Sequence, residues 1–305
     1  MNYNYILSFC ICTYKRNDGL ILLLDSINEI NLFNDFDFSS FNVIIVDNYD
    51  GSSKGQIKKD NYKFNILFVH EKNKGLTYAR NRSVKLAEKS KYCFFIDDDQ
   101  IIDKNCVYHM FETMKNQNAD LVYGSNPPIY KKEPTAAIDY FFQPKYEKDN
   151  DYLIPYAPTN CTLIKKSIID GIPGPFHINF NLTGGEDSFL TRLIKKKGAK
   201  MFRSVNAKAN EIVTEDRCNF RWITKRSFRC STSIGIQDRM LNLGFIFYFI
   251  RITKAFVKMF FGFIFAIPFF LLPNSFVYKF VPWIEFVEGL GHVFGYFNIH
   301  PKEYK

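Results

Sequence analysis

Three adjacent carboxylates follow a short apolar run in the first third of the chain. Residues 93–96 read Cys-Phe-Phe-Ile, a pattern typical of a strand buried on both faces, and residues 97–99 are all Asp. Carboxylate oxygens at the end of a buried strand suit Mg²⁺ or Mn²⁺ and leave open positions for substrate phosphates. The alternative is an acidic turn before a helix that begins near Lys104, with Asp103 as its N-cap.

Other carboxylates stand at the end of a second apolar run and before a later helix. Asp47 follows residues 41–46, so it also ends a predicted strand. Glu186 and Asp187 follow two glycines, directly before a predicted helix over residues 188–197. A carboxylate pair at that place is either a charge preference of the helix start or a catalytic acid–base pair, and the pattern leaves both open.

Strand and helix patterns alternate along the first two thirds of the chain. Leu20, Leu23, Leu24 and Ile27 fall at helical spacing after a first apolar run. This alternation with short connections predicts an α/β fold with a mostly parallel sheet covered by helices on both faces. The carboxyl ends of such strands meet at one edge, where open α/β sheets bind ligands. The predicted strands are residues 5–12, 41–46, 66–69, 93–96, 121–123 and 161–164, and further helices are predicted over 75–89, 104–117 and 188–197.

The positive charge of the protein is concentrated in one stretch. The 305 residues carry a net charge of +9, and residues 192–239 contain 13 Lys or Arg against four Asp or Glu. Such a stretch suits phosphates or an anionic membrane surface. Nucleic acid is the alternative partner, but no nucleic-acid-binding motif accompanies the charge, so we expect none.

The seven cysteines, at positions 10, 12, 93, 106, 161, 218 and 230, are odd in number. Most of them lie inside apolar runs, without zinc-site spacing or a disulfide framework, which indicates a reducing compartment such as the cytosol. Residues 5–12 lead straight into a polar turn and have no basic segment before them. We therefore interpret them as a first strand and not as a signal peptide.

The last part of the chain is rich in Phe and differs from the rest. Its longest uncharged stretch, residues 259–272, has 14 residues, fewer than the roughly 20 that a straight helix needs to span a bilayer. Arg251, Lys254 and Lys258 lie at helical spacing among Phe and Ile, as in a helix lying in the membrane plane. We predict an α/β domain over residues 1–240 and a helical, membrane-associating region over 241–305. The alternative for this region is a buried core helix.

Five short motifs occur in a recognisable order: residues 12–16 (Cys-Thr-Tyr-Lys-Arg), 46–48 (Val-Asp-Asn), 73–81 (Asn-Lys-Gly-Leu-Thr-Tyr-Ala-Arg-Asn), 96–99 (Ile-Asp-Asp-Asp) and 184–187 (Gly-Gly-Glu-Asp). The set resembles the family 2 glycosyltransferases, and within them the bacterial exopolysaccharide transferases of the succinoglycan glucosyltransferase type. That branch similarly has a basic helix after a strand such as residues 211–214. The resemblance covers about residues 5–240 and implies the GT-A fold, a Rossmann-like sheet that binds nucleotide-sugars.

The resemblance also implies how the donor is bound. A divalent ion, Mn²⁺ or Mg²⁺, would be held by Asp97 and Asp99 and would act as a Lewis acid on the diphosphate. Asp98 would face the ribose, Asp47 would hydrogen-bond the uracil, and Arg80 would hold the diphosphate. The residues assigned to nucleotide-sugar binding are Thr13, Tyr14, Arg16, Asp47, Arg80, Asp97 and Asp98.

The same resemblance assigns catalytic roles to the later acidic pair. Asp187 would be the general base that removes the proton of the acceptor hydroxyl, and Glu186 would orient the acceptor. A single displacement through an oxocarbenium-like transition state would then invert the anomeric centre.

One motif of the wider family is altered in this chain. Processive members carry Gln-x-x-Arg-Trp, whereas Cys218 takes the place of Gln here, before Arg221 and Trp222. The chain also has no series of long transmembrane segments, so we expect the addition of one sugar. Arg221, Trp222, Arg226 and Arg229 would contact the diphosphate of a lipid-linked acceptor. A solvated basic helix face is the equal alternative.

The favoured hypothesis is therefore an inverting, metal-dependent glycosyltransferase at the cytoplasmic face of a bacterial inner membrane. It would move a sugar from a nucleotide-sugar, such as a UDP-hexose, to a lipid-linked glycan during surface polysaccharide biosynthesis. Membrane attachment would be peripheral or by a short re-entrant or transmembrane segment. The alternatives are a sugar-phosphate nucleotidyltransferase, whose Gly-rich loop is not matched by residues 12–19, and a non-catalytic basic protein of the membrane surface.

Overall fold

The computed structural model describes residues 5–33, 36–144, 148–181 and 183–299. Within these ranges the strands are β1 Tyr5–Thr13, β2 Phe41–Asp47, β3 Asn65–His70, β4 Ser90–Asp97, β5 Gln100–Ile102, β6 Leu121–Ser125, β7 Pro128–Tyr130, β8 Tyr152–Leu153, β9 Thr162–Lys165 and β10 Met201–Val213. The helices are α1 Asn17–Ile27, α2 Leu76–Leu86, α3 Cys106–Asn116, α4 Ala136–Asp139, α5 Lys166–Ile169, α6 Glu186–Lys196, α7 Phe220–Leu241, α8 Phe245–Phe270 and α9 Val281–Tyr296.

The sheet is mixed. As the sequence predicts, most of its strands run in one direction, namely β1, β2, β3, β4, β6 and β10, whereas β5, β8 and β9 run in the other. Its strand order is β3-β2-β1-β4-β9-β6-β10-β5, and β8 pairs with β10. β1 pairs in parallel with β2 and with β4, while β9 and β5 run antiparallel to their neighbours. The ends of β1, β2 and β4, at Thr13, Asp47 and Asp97, therefore lie side by side. We call these strand ends and the segments that follow them the carboxyl edge.

Hydrophobic cores cover both faces of this sheet because successive strand residues point to opposite sides. Phe9 and Phe94 belong to the core on one face, and their neighbours Cys10 and Cys93 belong to the core on the other. The first core includes residues of α1 and α3, and the second includes residues of α2 and α6. The residues of α1 predicted at helical spacing are all buried in the first core: Leu20, Leu23, Leu24 and Ile27.

Several element boundaries differ from the sequence prediction. The strand that was expected to include residues 211–214 begins at Met201, ten residues earlier. Its buried Arg203 hid the pattern, because a charged residue argues against a buried strand. The partners of Arg203 explain its burial, since its guanidinium lies over the ring of Tyr123 at 4.5 Å and donates to Ser125 Oγ at 2.9 Å.

Helix starts also differ by a few residues. α3 begins at Cys106, and the carboxylate of Asp103 accepts the backbone N–H of Asn105 at 2.9 Å. The N-cap is Asn105, two residues later than expected, and Asp103 stabilises the turn before the helix. α6 begins at Glu186, so the acidic pair lies within its first turn and not before it.

The chain divides into two compact units. The first comprises residues 1–127, 144–181 and 186–212, and it contains the parallel part of the sheet. The second comprises residues 128–143, 182–185 and 213–305, and it contains α7, α8 and α9. The sequence-based division into residues 1–240 and 241–305 stays a prediction.

Glycines let the helices of the second unit approach closely. A Cβ on Gly291 would lie 2.5 Å from the carbonyl oxygen of Phe228 in α7, and one on Gly295 would lie 2.2 Å from that of Thr232. On α8, a Cβ on Gly262 would lie 2.5 Å from the backbone nitrogen of Phe286 in α9. Such small-residue contacts are common between helices that pack in membranes.

The outer surface of α8 is apolar. By length and composition α8 is a candidate membrane span, and only 17% of its most apolar window is buried. The side chains of α8 that are buried are small, namely Ala255, Gly262 and Ala266. Phe and Ile occupy most of the exposed positions: Phe245, Ile246, Phe249, Ile250, Phe256, Phe260, Phe261, Phe263, Ile264, Phe265, Ile267 and Phe270.

Candidate active site

The predicted donor-binding residues meet at the carboxyl edge because of the strand register. In the parallel pairing of β1 with β2, Thr13 lies opposite Asp47. In the pairing of β1 with β4, Cys12 lies opposite Asp97. Thr13, Asp47 and Asp97, which are far apart in sequence, are thus brought together at the ends of three adjacent strands.

Arg16 binds two of the three adjacent aspartates. Its Nη1 lies 3.2 Å from Asp98 Oδ1 and 2.8 Å from Asp99 Oδ2. Burial raises the pKa of Asp98 to about 7, and the guanidinium of Arg16 opposes that rise. At Asp98 the effect of burial therefore outweighs that of the guanidinium of Arg16.

Arg80 connects the remaining aspartate to the acidic pair of α6. This arginine of α2 is 6% exposed, and its Nη2 lies 3.2 Å from Asp97 Oδ1. Its Nη1 forms an ion pair with Oε1 of Glu186, and its guanidinium lies 5.7 Å from the ring centroid of Phe176. Burial alone would lower the pKa of Arg80, but Glu186 and Asp97 raise it above its ordinary value.

The two carboxylates of α6 have different surroundings. Glu186 is 2% exposed, and burial raises its pKa to about 7 in spite of Arg80. Asp187 is half-buried, and its Oδ1 accepts the backbone N–H of Ser188 at 2.6 Å. Asp187 is thus the more accessible carboxylate of the pair, while Glu186 is part of a buried charge network.

Asp47 and Asn48 organise the loops after β2 and β3. The fully buried Asp47 accepts backbone N–H groups of Tyr49, at 2.8 Å, and Ser53, at 3.4 Å. Asn48, which sequence reasoning placed in a motif but gave no role, accepts the N–H of Gly75 at 2.7 Å and donates to the carbonyl oxygen of Asn73 at 2.7 Å. Asn48 therefore fixes the turn at residues 73–75, which directly precedes α2 and its Arg80.

Two tyrosines lie together on the surface of this edge. The rings of Tyr14 and Tyr49 have centroids 5.3 Å apart, and both side chains are exposed. The ammonium of Lys15 lies 4.2 Å from the centroid of Tyr49. Tyr14 was among the predicted residues, whereas Tyr49 was missed, since it follows the Asp-Asn pair without any motif of its own.

Buried polar atoms without a hydrogen-bond partner among the described residues concentrate at the carboxyl edge. Native interiors leave few such atoms, because each costs about 1–3 kcal/mol unless a ligand or water satisfies it. Seven of them lie on segments at this edge: Asn17 Oδ1, Thr77 Oγ1, Gln100 Nε2, Thr159 Oγ1, Asn160 Oδ1, Asn181 Oδ1 and Glu186 Oε2.

The predicted metal ligands can be tested against this geometry. Within the residues that the structure describes, no group of three or more His, Cys, Asp or Glu could hold a metal ion. The two-carboxylate set of Asp97 and Asp99 still fits a hard cation in its chemistry, and the side chain of Asp97 is 40% exposed. A cation bound there would compete with Arg16 for the carboxylate of Asp99.

The predicted acceptor residues lie at the start of α7, in the second unit. Trp222 stacks on Phe142 with ring centroids 5.6 Å apart, and the guanidinium of Arg226 lies 5.0 Å from the centroid of Trp222. Arg221 is exposed, and Arg229 donates to the carbonyl oxygen of Thr183 at 3.2 Å. Trp222 is therefore at least a packing residue, and contact of this group with an acceptor stays a prediction.

The comparison with known proteins identifies the family. Residues 8–172 match the family described as Glycosyl transferase family 2, and the chain belongs to that family. It is similar to the succinoglycan biosynthesis protein ExoM of Rhizobium meliloti (strain 1021), with 23% identity over 238 residues, which are 74% of this chain and 72% of ExoM. The nucleotidyltransferase and non-catalytic hypotheses therefore lack support.

Solved structures agree on the fold. The chain is similar to S. aureus TarS 1-349 in complex with UDP-GlcNAc, with a TM-score of 0.52 and 14% identity over 76% of this chain and 66% of that chain. It is also similar to the mannosyltransferase PcManGT from Pyrobaculum calidifontis in complex with GDP-Man and Mn²⁺, with a TM-score of 0.58 and 13% identity over 97% of this chain and 72% of that one. The α/β fold of the GT-A type is thus confirmed.

Proposed function

We propose that this glycosyltransferase is inverting and metal-dependent, and that it moves a sugar from a UDP-hexose to a lipid-linked glycan in surface polysaccharide biosynthesis. The observation that carries the proposal is the network of Asp97, Arg80 and Glu186 beside the accessible carboxylate of Asp187. ExoM is a succinoglycan biosynthesis protein, and the TarS structure holds UDP-GlcNAc, which supports this substrate class.

The chemistry follows from these groups. Asp187 accepts the proton of the acceptor hydroxyl while its oxygen attacks the anomeric carbon of the donor sugar. The bond from that carbon to the diphosphate oxygen breaks, and the nucleoside diphosphate leaves with the electron pair. Attack from the side opposite the leaving group inverts the anomeric centre. Glu186 holds Arg80 in place, so the guanidinium stays next to Asp97 near the leaving diphosphate.

Asp97 and Asp99 are the residues that would hold a divalent cation. When bound, Mn²⁺ or Mg²⁺ supplies positive charge to the diphosphate leaving group. Arg16 would then contact Asp98 alone or turn toward the nucleotide, for which its planar fork is well shaped. Asp47 would bind the uracil, and Thr13 and Tyr14 would line the nucleotide pocket.

Transfer itself can be tested with purified protein. A panel of nucleotide-sugars is incubated with Mn²⁺ and lipid extracts from bacterial membranes, and the labelled product is analysed by NMR. We expect one sugar to be added with an anomeric configuration opposite to that of the donor. A product with retained configuration contradicts the inverting mechanism, and release of a sugar 1-phosphate would favour a nucleotidyltransferase.

We expect α8 to attach the enzyme to the cytoplasmic face of the inner membrane, where it would bind the lipid-linked acceptor. Its exposed Phe and Ile side chains are suited to the acyl region, and Lys254 is an exposed cation suited to anionic headgroups. The part of α8 without charges, residues 259–270, is about 18 Å long, against about 30 Å of hydrocarbon. The whole helix is long enough to span a bilayer, but a span would bring Arg251, Lys254 and Lys258 toward the hydrocarbon, so these charges favour a helix lying in the interface.

Fractionation distinguishes the modes of attachment. We expect the full chain to sediment with membranes, to resist high salt and to be released by mild detergent. A protein that stays in the soluble fraction at low salt without detergent contradicts the proposal, and complete release by high salt would indicate a purely electrostatic attachment.

A further inference from the structure

The segment just before β9 brings two polar residues to the carboxyl edge. β9 runs antiparallel to β4, with Thr162 opposite Phe95, and the backbone N–H of Cys161 donates to the carbonyl oxygen of Phe95 at 2.9 Å. Continuing this register by two residues brings Asn160 level with Asp97. An antiparallel strand starts where its parallel neighbours end, so Thr159 and Asn160 lie where β4 ends in its aspartates.

Both residues carry buried oxygens without a partner. Thr159 is 2% exposed, and neither its Oγ1 nor Oδ1 of Asn160 has a hydrogen-bond partner among the described residues. An unsatisfied buried acceptor costs free energy, and a protein keeps it where a ligand supplies the missing donor. Nothing in the family motifs at residues 96–99 and 184–187 gives these two oxygens a role.

The backbone at the next residue is strained. Cys161 has φ +87°, a left-handed conformation in which a non-glycine residue is strained. Its N–H and carbonyl groups are both held, by Phe95 and by the N–H of Gly124 at 2.9 Å, so the neighbouring strands fix the conformation. Backbone strain retained in this way clusters at ligand sites. The observation is independent of the unpartnered oxygens of Thr159 and Asn160.

The chemistry of the unpartnered atoms selects the ligand. The Asn160 oxygen is an acceptor and needs an O–H or N–H donor, which the phosphates of a nucleoside diphosphate do not present. The ribose and the uracil do present such donors, but Asp98 and Asp47 are the residues assigned to them. A sugar carries several hydroxyl groups that donate and accept. We propose that Thr159 and Asn160 bind hydroxyl groups of the transferred sugar and determine which sugar is accepted. This inference rests on the proposed function.

The test compares binding of the nucleotide with binding of the nucleotide-sugar. Dissociation constants for UDP, UDP-glucose, UDP-galactose, UDP-GlcNAc and GDP-mannose are measured by calorimetry with Mn²⁺ for the wild type, Asn160→Ala and Thr159→Val. We expect each variant to bind the preferred nucleotide-sugar about 5- to 10-fold more weakly, because one hydrogen bond is lost, with UDP affinity unchanged. Asn61→Ala, an exposed Asn before β3 and thus at the other edge of the sheet, is the matched control.

The possible outcomes separate the explanations. Unchanged affinity for the preferred nucleotide-sugar in both variants overturns the inference. An equal loss for UDP and for the nucleotide-sugar also overturns it, because the pair would then bind the nucleoside or have a structural role. A variant whose Mn²⁺ requirement rises would make Asn160 a metal ligand, which also overturns it. If Asn160→Ala does not fold, the dissociation constants of the nearly isosteric Thr159→Val variant test the inference instead. A wild type that binds none of the nucleotide-sugars contradicts the proposed function, and this inference falls with it.

Discussion

Two buried carboxylates, Asp238 in the second unit and Glu186 in the first, have different surroundings. In the second unit, Asp238 is 0% exposed, and its Oδ2 lies 3.1 Å from Arg251 Nε, 3.2 Å from His292 Nε2 and 3.3 Å from the hydroxyl of Tyr296. These partners come from α8 and α9, while Asp238 belongs to α7. In the first unit, Glu186 is equally buried, but its partner is Arg80, which it shares with Asp97.

The difference is one of hydrogen-bond satisfaction. Oε2 of Glu186 has no partner among the described residues, whereas Oδ2 of Asp238 has three. A buried charge with enough partners fixes the packing of the elements that supply them. A buried charge with too few partners lowers the stability of the protein. Such a charge is retained where a ligand supplies the missing partner. Burial alone therefore does not mark a functional carboxylate.

The largest effect is expected from Asp238→Ala. Removing this carboxylate leaves Arg251 and His292 without their common partner, and breaking a buried charge network costs about 3–5 kcal/mol. We expect the free energy of unfolding measured with urea to fall by that amount, with UDP affinity unchanged in the protein that remains folded. Asp216→Ala, at an exposed aspartate of the same unit, should have little effect. A loss below 1 kcal/mol for Asp238→Ala would contradict the structural role.

The next effect is expected from Asp187→Asn. The amide keeps the size and shape of the side chain but cannot accept the proton, so turnover should fall by about 10²-fold or more. Affinity for the nucleotide-sugar and the free energy of unfolding should stay near those of the wild type. Asp60→Asn, an exposed aspartate before β3 and at the other edge of the sheet, is the control. An Asp187→Asn enzyme within a few-fold of wild type would make Asp187 only a helix-start residue.

A smaller effect concerns the pH dependence of stability through Glu186. Burial raises its pKa from 4.5 to about 7, so the folded protein binds a proton that the unfolded chain releases between these values. Its contribution is fully present below pH 4.5 and is lost as the pH rises through 7, on the order of 1–3 kcal/mol. Without metal and nucleotide, the melting temperature of the wild type should fall relative to Glu186→Gln between pH 5 and 8. Parallel curves for the two proteins would show that Glu186 does not titrate in this range.

Much of the fold follows from local patterns in the sequence. The apolar runs that predict strands over residues 5–12, 41–46 and 93–96 are visible because each is continuous and ends in a polar turn. The spacing of the leucines in α1 likewise predicts its buried face. The first ten residues of β10 were not predicted as a strand, because Arg203 interrupts the apolar pattern. The burial of Arg203 depends on Tyr123 and Ser125, which are far away in sequence.

The site shows the same limit. Strand ends and motifs predict that Asp47, Asp97 and Asp187 belong to one edge, but no local pattern shows that Arg80 lies between Asp97 and Glu186. The network of Asp238 was missed because its partners, Arg251 and His292, are contributed by two other helices. Long-range pairs of this kind depend on tertiary packing, which periodicity does not encode.

The unpartnered atoms of the carboxyl edge indicate an incomplete site that a metal ion and a nucleotide complete. The most direct measurement is the melting temperature with UDP and Mn²⁺ for the wild type, Asp238→Ala and the double variant Asp97→Asn with Asp99→Asn. At UDP concentrations 100 times the dissociation constant, binding stabilises the folded protein by about 2.7 kcal/mol. We expect a rise of about 5 °C or more in the wild type and a similar rise from a lower starting point in Asp238→Ala, but little rise in the double variant. No rise in the wild type, or an undiminished rise in the double variant, would show that a metal ion and a nucleotide do not complete this edge.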